Sequence, residues 1–332
     1  MRTTVKLLAL LMLVLLPAST AMSKEKITSL CDIHYPSDAR IEWRCVKLKW
    51  TDTAEKMFGA HWLDVLRFNR MDRRHFHGGI SVKVPKHPQQ LNSFTPLPAE
   101  YQQEAAEPKL IVVDQTEMFL GAYEYGKLVY SFPIALGIEG YRVPNGEYRV
   151  DAADRHHQSN LYTVEEIGRP YPMHYGLRFW VDKSKESWPS YWIHGRDLPG
   201  YPASHGCLGL YDEEMQREYY SAYDKKVNKQ YYHPLTEPFL QDAKVLYTWA
   251  VNPATDPGKF HKIKNGPKVL IIGTPPGLQR SSPPAPPPAT EKAPAPAPGT
   301  EKRPAPATEN GPAKEKAFVP PIFPSRSSTS HS

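Results

Sequence analysis

Cysteine is scarce: 3 in 332 residues, too few to frame a disulfide-built scaffold. Long apolar runs are missing as well. The longest, Leu7 to Leu16, has ten residues, whereas a helix that spans a bilayer needs roughly 20. A strong basic excess is absent from the body of the chain. The formal charge is +6, but Arg2 and Lys6 hold two of these charges and a proline-rich C-terminal stretch holds three, which leaves about +1 between them. Nucleic-acid binding through clustered Lys and Arg is therefore not expected. No Gly-rich phosphate loop is complete. Gly121 to Lys127 fits its first positions, but Leu128 stands where a hydroxyl must reach magnesium. His75 and His77, and the pair His156 and His157, come without the carboxylates or cysteines that would close a metal site, so no metal and no cofactor is expected.

Proline, by contrast, is abundant at 35 residues. From 275 to 332 the composition falls to Pro, Ala, Thr, Lys and Glu, which predicts a disordered tail. At the other end Arg2 and Lys6, the apolar run, Pro17 and the small residues up to Ala21 read as a secretory signal over 1–21. The expectation is a chain exported across the inner membrane to the periplasm or cell wall, with no membrane span after signal removal. Disulfides persist in such a compartment. Cys31 and Cys45 are close enough in sequence to pair, leaving Cys207 as a lone thiol.

Between these ends, 41–87 shows apolar residues Met57, Phe58, Trp62, Leu63, Val65, Leu66 and Phe68 at helical spacing, then the alternating stretch Gly79 to Pro85. A strand, two short helices and a returning strand suit this pattern. Residues 88–107 read as a linker. From 108 to 274 the pattern is mainly β: Leu110 to Val113, a hairpin of Met118 to Tyr123 and Leu128 to Phe132 about Tyr125-Gly126, then Gly176 to Val181, Tyr191 to His194 and Val269 to Ile272. Asp212 is placed to cap a helix reaching about Tyr223. Tyr232 to Phe260 has no clear pattern.

The chemistry concentrates between Trp192 and Leu208, where Ile193-His194-Gly195 is followed by Ser204-His205-Gly206-Cys207. A thiol near two imidazoles suits covalent catalysis, because histidine can hold sulfur as the nucleophilic thiolate. Gly206 lets backbone approach a substrate, so that the N–H groups of Gly206 and Cys207 would face an oxyanion. Zinc held by His194, His205 and Cys207 is a competing reading, although three ligands from one loop offer poor tetrahedral geometry.

The two phrases resemble the signature of the L,D-transpeptidases, the YkuD catalytic domain, and Arg142 to Tyr148 looks like that family's Thr-Pro-x-Gly-x-Phe turn and strand. The resemblance covers about 165 residues. Two departures stand out: only nine residues separate His194 from Ser204, and Gly209 occupies a position where Arg or Asn is usual. Residues 41–87 resemble, more loosely, a LysM peptidoglycan-binding module, without the glycine usual in the first turn at Trp50 to Thr53.

The resemblance implies a mainly β, sandwich-like catalytic domain with a helix after the catalytic loop, preceded by a small α+β LysM-like module and followed by the disordered tail. It implies peptidoglycan stem peptides and glycan as partners, with a second stem, a protein or an amino acid as acceptor. Cys207 would be the nucleophile and His194 the base, while Ser204, His205 and Gly206 would shape the loop and Tyr175, Gly195 and Gly209 would contact substrate. A thioester, loss of D-alanine and a 3→3 crosslink would follow. An L,D-carboxypeptidase or other cell-wall cysteine peptidase or amidase, and a non-catalytic peptidoglycan-binding protein, are the alternatives. Nothing in the sequence sets the oligomeric state.

Overall fold

A computed structural model describes residues 27–92, 94–164, 167–230 and 232–276. The expected signal segment, 1–21, and the expected disordered tail beyond 276 lie outside the described residues. Strand β1 (Trp43–Lys47) leads to helices α1 (Ala54–Phe58) and α2 (Trp62–Phe68), and the chain returns as β2 (Ser81–Pro85), antiparallel to β1 with Trp43 opposite Pro85. Thr53 starts α1 because its hydroxyl accepts the Lys56 N–H at 3.3 Å. The apolar spacing of α2 turns Val65, Leu66 and Phe68 inward. A disulfide joins Cys31 to Cys45 with Cα atoms 5.8 Å apart, and Cys207 is free.

In chain order there follow β3 (Leu110–Asp114), β4 (Phe119–Glu124), β5 (Lys127–Pro133), β6 (Gly146–Arg149), β7 (Ala152–Asp154), β8 (Gln158–Val164), β9 (Arg169–Pro172), β10 (Gly176–Val181), β11 (Ser190–Arg196) and β12 (Leu208–Tyr211). Helices α3 (Glu213–Val227) and α4 (Asp242–Ala250) come next, then β13 (His261–Lys262) and β14 (Lys268–Ile272). One five-stranded sheet has the order β5-β4-β3-β14-β6 and the other β12-β11-β10-β7-β13, while β8 and β9 pair by themselves. The β4–β5 hairpin turns on Tyr125 and Gly126, both at positive φ (46° and 76°), as a tight two-residue hairpin loop requires.

The unbroken apolar run of β3 is explained by burial on both faces. Ile111 and Val113 join a core that also holds Leu177, Phe179 and Ile193 of the second sheet. Leu110 and Val112 point the other way, into a cluster with Tyr123 that Tyr101 covers. Residues before β3 are thus part of the same body: the Tyr123 hydroxyl donates to the Pro98 carbonyl at 2.9 Å, and Leu30, Ile33, Leu66, Met71 and Val82 belong to the main core with Ile111 and Leu120. Helix α3 begins where Asp212 accepts the Met215 N–H at 3.1 Å, and it runs past Tyr223 to Val227. The unpatterned stretch 232–260 contains α4, whose Ala243, Leu246 and Tyr247 pack into the main core.

Candidate active site

Strands β11 and β12 lie side by side and parallel, with Ile193 opposite Leu208, His194 opposite Gly209 and Arg196 opposite Tyr211. Residues 197–207 form the crossover, so Cys207 immediately precedes β12, two residues before the Gly209 that lies opposite His194. Alternation along β11 sends His194 and Arg196 to one side and Gly195 to the other. A pocket of about 460 Å³ opens there, lined by His194, Arg196, Ser204, His205 and Cys207, with Tyr162 of β8 and Arg74 from the N-terminal segment on its walls.

Ser204 locks the loop. Its hydroxyl donates to the Cys207 carbonyl at 2.7 Å and accepts the Gly206 N–H at 3.1 Å. Its carbonyl accepts the Ile138 N–H at 2.9 Å. The Gly206 N–H, expected to face an oxyanion, is therefore engaged by a serine two residues upstream, a local side-chain to backbone bond of the kind serine favours. Gly206 has φ of 123° and lies so close to Tyr191 that a Cβ would come within 2.5 Å of its ring. His205 is exposed, stacked on Tyr162 with ring centroids 4.6 Å apart and edge-on to Tyr141 at 4.9 Å.

The protonation state differs from the expected histidine-held thiolate. Burial pushes the Cys207 thiol up to about 11, against smaller lowering effects of a hydrogen bond from the Trp192 backbone and of the Arg196 charge. Burial drives His194 down to about 3. The resting pair is a thiol and a neutral imidazole, because desolvation of both charged forms outweighs what their surroundings return. His194 Nδ1 lies 2.8 Å from the Gly195 carbonyl. A carbonyl only accepts, so Nδ1 carries the proton and Nε2 is left with its lone pair.

Of the three expected substrate contacts, none lines this pocket among the described residues. Tyr175 packs edge-on against Tyr247 of α4 at 5.8 Å. Gly195 is small because a Cβ would sit 2.4 Å from Asp212 Oδ2, and Gly209 because a Cβ would fall 2.0 Å from Arg196 Cγ and Cδ.

Residues that the sequence reading passed over brace the loop from outside. Asp72 accepts the Leu198 N–H at 2.6 Å, the Gln216 side-chain amide at 2.7 Å and the His75 N–H at 2.9 Å, while the Asp72 N–H donates to the Leu198 carbonyl at 2.9 Å. Met71 bridges Pro199 in the same place. Asp197 accepts the Tyr171 hydroxyl at 2.9 Å. Burial would raise its carboxyl, but Arg196, His75 and Arg74 hold it down at about 2. Arg196 was legible in principle, since it stands two residues after His194 on one strand; Asp72 was not, lying 126 residues from Leu198.

Residues 108–262 match the model of the YkuD family, the L,D-transpeptidase catalytic domain. None of the curated proteins matches the chain. Among solved structures, the L,D-transpeptidase (Yku) from Stackebrandtia nassauensis is 17% identical with a TM-score of 0.34, over 66% of this chain and 70% of that one. An L,D-transpeptidase from Xylanimonas cellulosilytica is 18% identical with a TM-score of 0.32, over 63% and 78%. The Mycobacterium tuberculosis L,D-transpeptidase 1 is 14% identical with a TM-score of 0.29, over 50% of this chain and 62% of that one, less than two thirds of its length.

Proposed function

Because residues 108–262 match the model of the YkuD L,D-transpeptidase catalytic domain, we propose that this chain is an exported enzyme that acylates Cys207 with peptidoglycan stem peptides and passes the acyl group to an amine. The observation that carries this reading is the pairing, in one pocket, of a half-buried free thiol with an imidazole whose Nδ1 is tied to the Gly195 carbonyl, which leaves Nε2 as the proton acceptor. His194 takes the Cys207 proton as sulfur attacks the carbonyl between the third residue of the stem, a diamino acid, and the fourth, D-alanine. The S–C bond forms, the negative charge on oxygen faces the Cys207 N–H, and the C–N bond breaks as His194 returns the proton to the leaving amine. D-alanine departs and a thioester remains. An amine of a second stem attacks it, giving a 3→3 crosslink and the free thiol.

A thiol near 11 and an imidazole near 3 favour proton transfer during attack over a preformed ion pair, since neither charged form is stable in the resting pocket. The basic and apolar start of the chain and the Cys31–Cys45 disulfide support export to the periplasm or wall. The strand, helix, helix, strand order of 43–85 supports a LysM-like role in holding glycan.

Intact-mass spectrometry of signal-free protein mixed with a disaccharide-tetrapeptide tests the reaction. The expected result is an acyl adduct with release of D-alanine and a dimeric muropeptide, all lost in Cys207→Ala. Turnover retained in that variant would overturn the assignment, and D-alanine release without dimer would make the enzyme a carboxypeptidase. His194→Gln should lower the acylation rate by about 10²- to 10⁴-fold, and His205→Gln by much less.

A further inference from the structure

Arg196 is a buried cation with donors to spare. The residue is only 9% exposed; among the described residues its Nε donates to the Asp197 carbonyl at 3.2 Å, and neither Nη bonds to a protein group or is buried without a partner, so both reach solvent. Among the described residues no carboxylate forms an ion pair with it: Asp197 is turned to the Tyr171 hydroxyl, 2.9 Å away, and to Arg74 and His75, each 3.9 Å away. A fork of N–H groups that meets only water is open to a ligand's paired acceptors, which would be bound by two charge-assisted hydrogen bonds. Arg196 lines the pocket that contains Cys207 and His194.

Gly209 makes this placement possible. A Cβ at 209 would lie 2.0 Å from both Cγ and Cδ of Arg196, so the arginine stem runs through the volume that any side chain at 209 would fill. Position 209 is opposite His194 in the register, which is why a side chain reaching through it arrives at the catalytic pair. The glycine and the arginine are thus one device: the first empties a channel and the second occupies it.

We propose that Arg196 is a substrate-binding residue whose Nη groups receive the terminal carboxylate of the leaving D-alanine in a two-bond, fork-to-carboxylate contact. This rests on the proposed reaction, because it takes the fourth residue of a tetrapeptide as the group expelled. Of the charged groups on such a donor, that carboxylate is held nearest the scissile bond, only one residue beyond the attacked carbonyl. The guanidinium acts on the same place, since its charge is felt at the Cys207 sulfur. A penta- or tripeptide would put its carboxylate out of register with the fork.

The test compares acylation of Cys207 by two donors, the tetrapeptide with a free terminal carboxylate and the same peptide with that group amidated, read as adduct formation by mass spectrometry. Wild-type protein should prefer the free carboxylate by on the order of 10- to 100-fold in kcat/KM, the range for a hydrogen bond to a charged group. Arg196→Gln should erase the preference by slowing the carboxylate donor by about 10- to 100-fold more than the amide donor, since loss of the charge at the sulfur slows both alike. Gly209→Ala should do the same, because the added methyl displaces the arginine stem, and Arg196→Lys should keep part of the preference. Equal acylation by both donors in the wild-type protein overturns the proposal without recourse to any variant, as does a donor ratio unchanged in folded Arg196→Gln. Acylation by neither donor defeats the underlying reaction instead, and the two failures are therefore distinct.

Discussion

Two charge clusters fasten the N-terminal segment to the sheets, and they are built on opposite plans. In the first, Arg70 is fully buried and every donor has a partner: Nε on the Glu117 carbonyl at 3.0 Å, Nη2 on Glu117 and on Ser37 at 3.0 Å each, and Nη1 on the Phe68 carbonyl and near Asp38, with Tyr35 under the guanidinium at 3.7 Å. Lys83 binds Asp38 and the Ile33 carbonyl beside it. In the second, Asp72 and His75 pair behind Arg74, Asp197 and Arg196, which line the Cys207 pocket, and among the described residues the Arg196 Nη groups bond to no protein acceptor and stay open to solvent. A closed cluster can only hold. An open one can hold and also receive, which is what separates a joint from a binding wall.

Breaking the closed cluster should cost the most stability. Arg70→Met strands Asp38 and Glu117 in the interior, and unfolding in urea should show a loss of about 3–5 kcal/mol, with the acylation rate of the remaining folded protein little changed. Reduction of the Cys31–Cys45 bond, which closes a loop over a separation of 14 residues, should lower stability by about 3 kcal/mol, again without a direct effect at Cys207. Asp72→Asn strikes the open cluster. It weakens the hold on Leu198 and His75 and should lower stability by only about 1–3 kcal/mol, while slowing acylation by roughly tenfold or more as the loop loses its brace. A larger effect on stability than on acylation would erase the contrast between the clusters.

The smallest effect is a pH slope. His194 titrates at about 3 when folded, against 6.5 as the ordinary value, so below 6.5 the unfolded chain binds a proton that the folded one refuses. Its contribution is full above 6.5 and is lost as pH falls toward 3, at no more than about 1.4 kcal/mol per unit. Burial raises Asp212 and Asp242 to about 6, and these pull the other way across the same range. The difference between wild type and His194→Gln isolates the sign: the variant should lose less stability between pH 6.5 and 4.

The long strands and the hairpin were legible because apolar alternation and Tyr125-Gly126 are local signals. Strands β7, β8 and β9 were not: Ala152-Ala153-Asp154 has no alternation, and most of β8 is exposed. Helix α4 was hidden in a stretch broken by Pro234, Pro238, Pro253 and Pro257. At the site, Cys207, His194 and Ser204 could be read from residue type and spacing alone. The resting thiol could not, since it follows from burial, and neither could the role of Gly209, whose meaning lies in a side chain thirteen positions earlier on the neighbouring strand. Asp72 escaped for a similar reason, being attached to the site only through tertiary contact.

The contact between Asp72 and Leu198 also bears on how the enzyme comes into being. The crossover that delivers Cys207 has little apolar content to organise it, and its anchor is drawn from a distance of 126 residues. Such long-range closures form slowly and late in folding. Synthesis runs from the N-terminus, so the anchor leaves the ribosome first and the thiol afterwards. The loop that carries Cys207 is consequently among the last parts of the molecule to take shape, and a chain still unfolded holds its thiol without the imidazole and the braces that surround it in the fold.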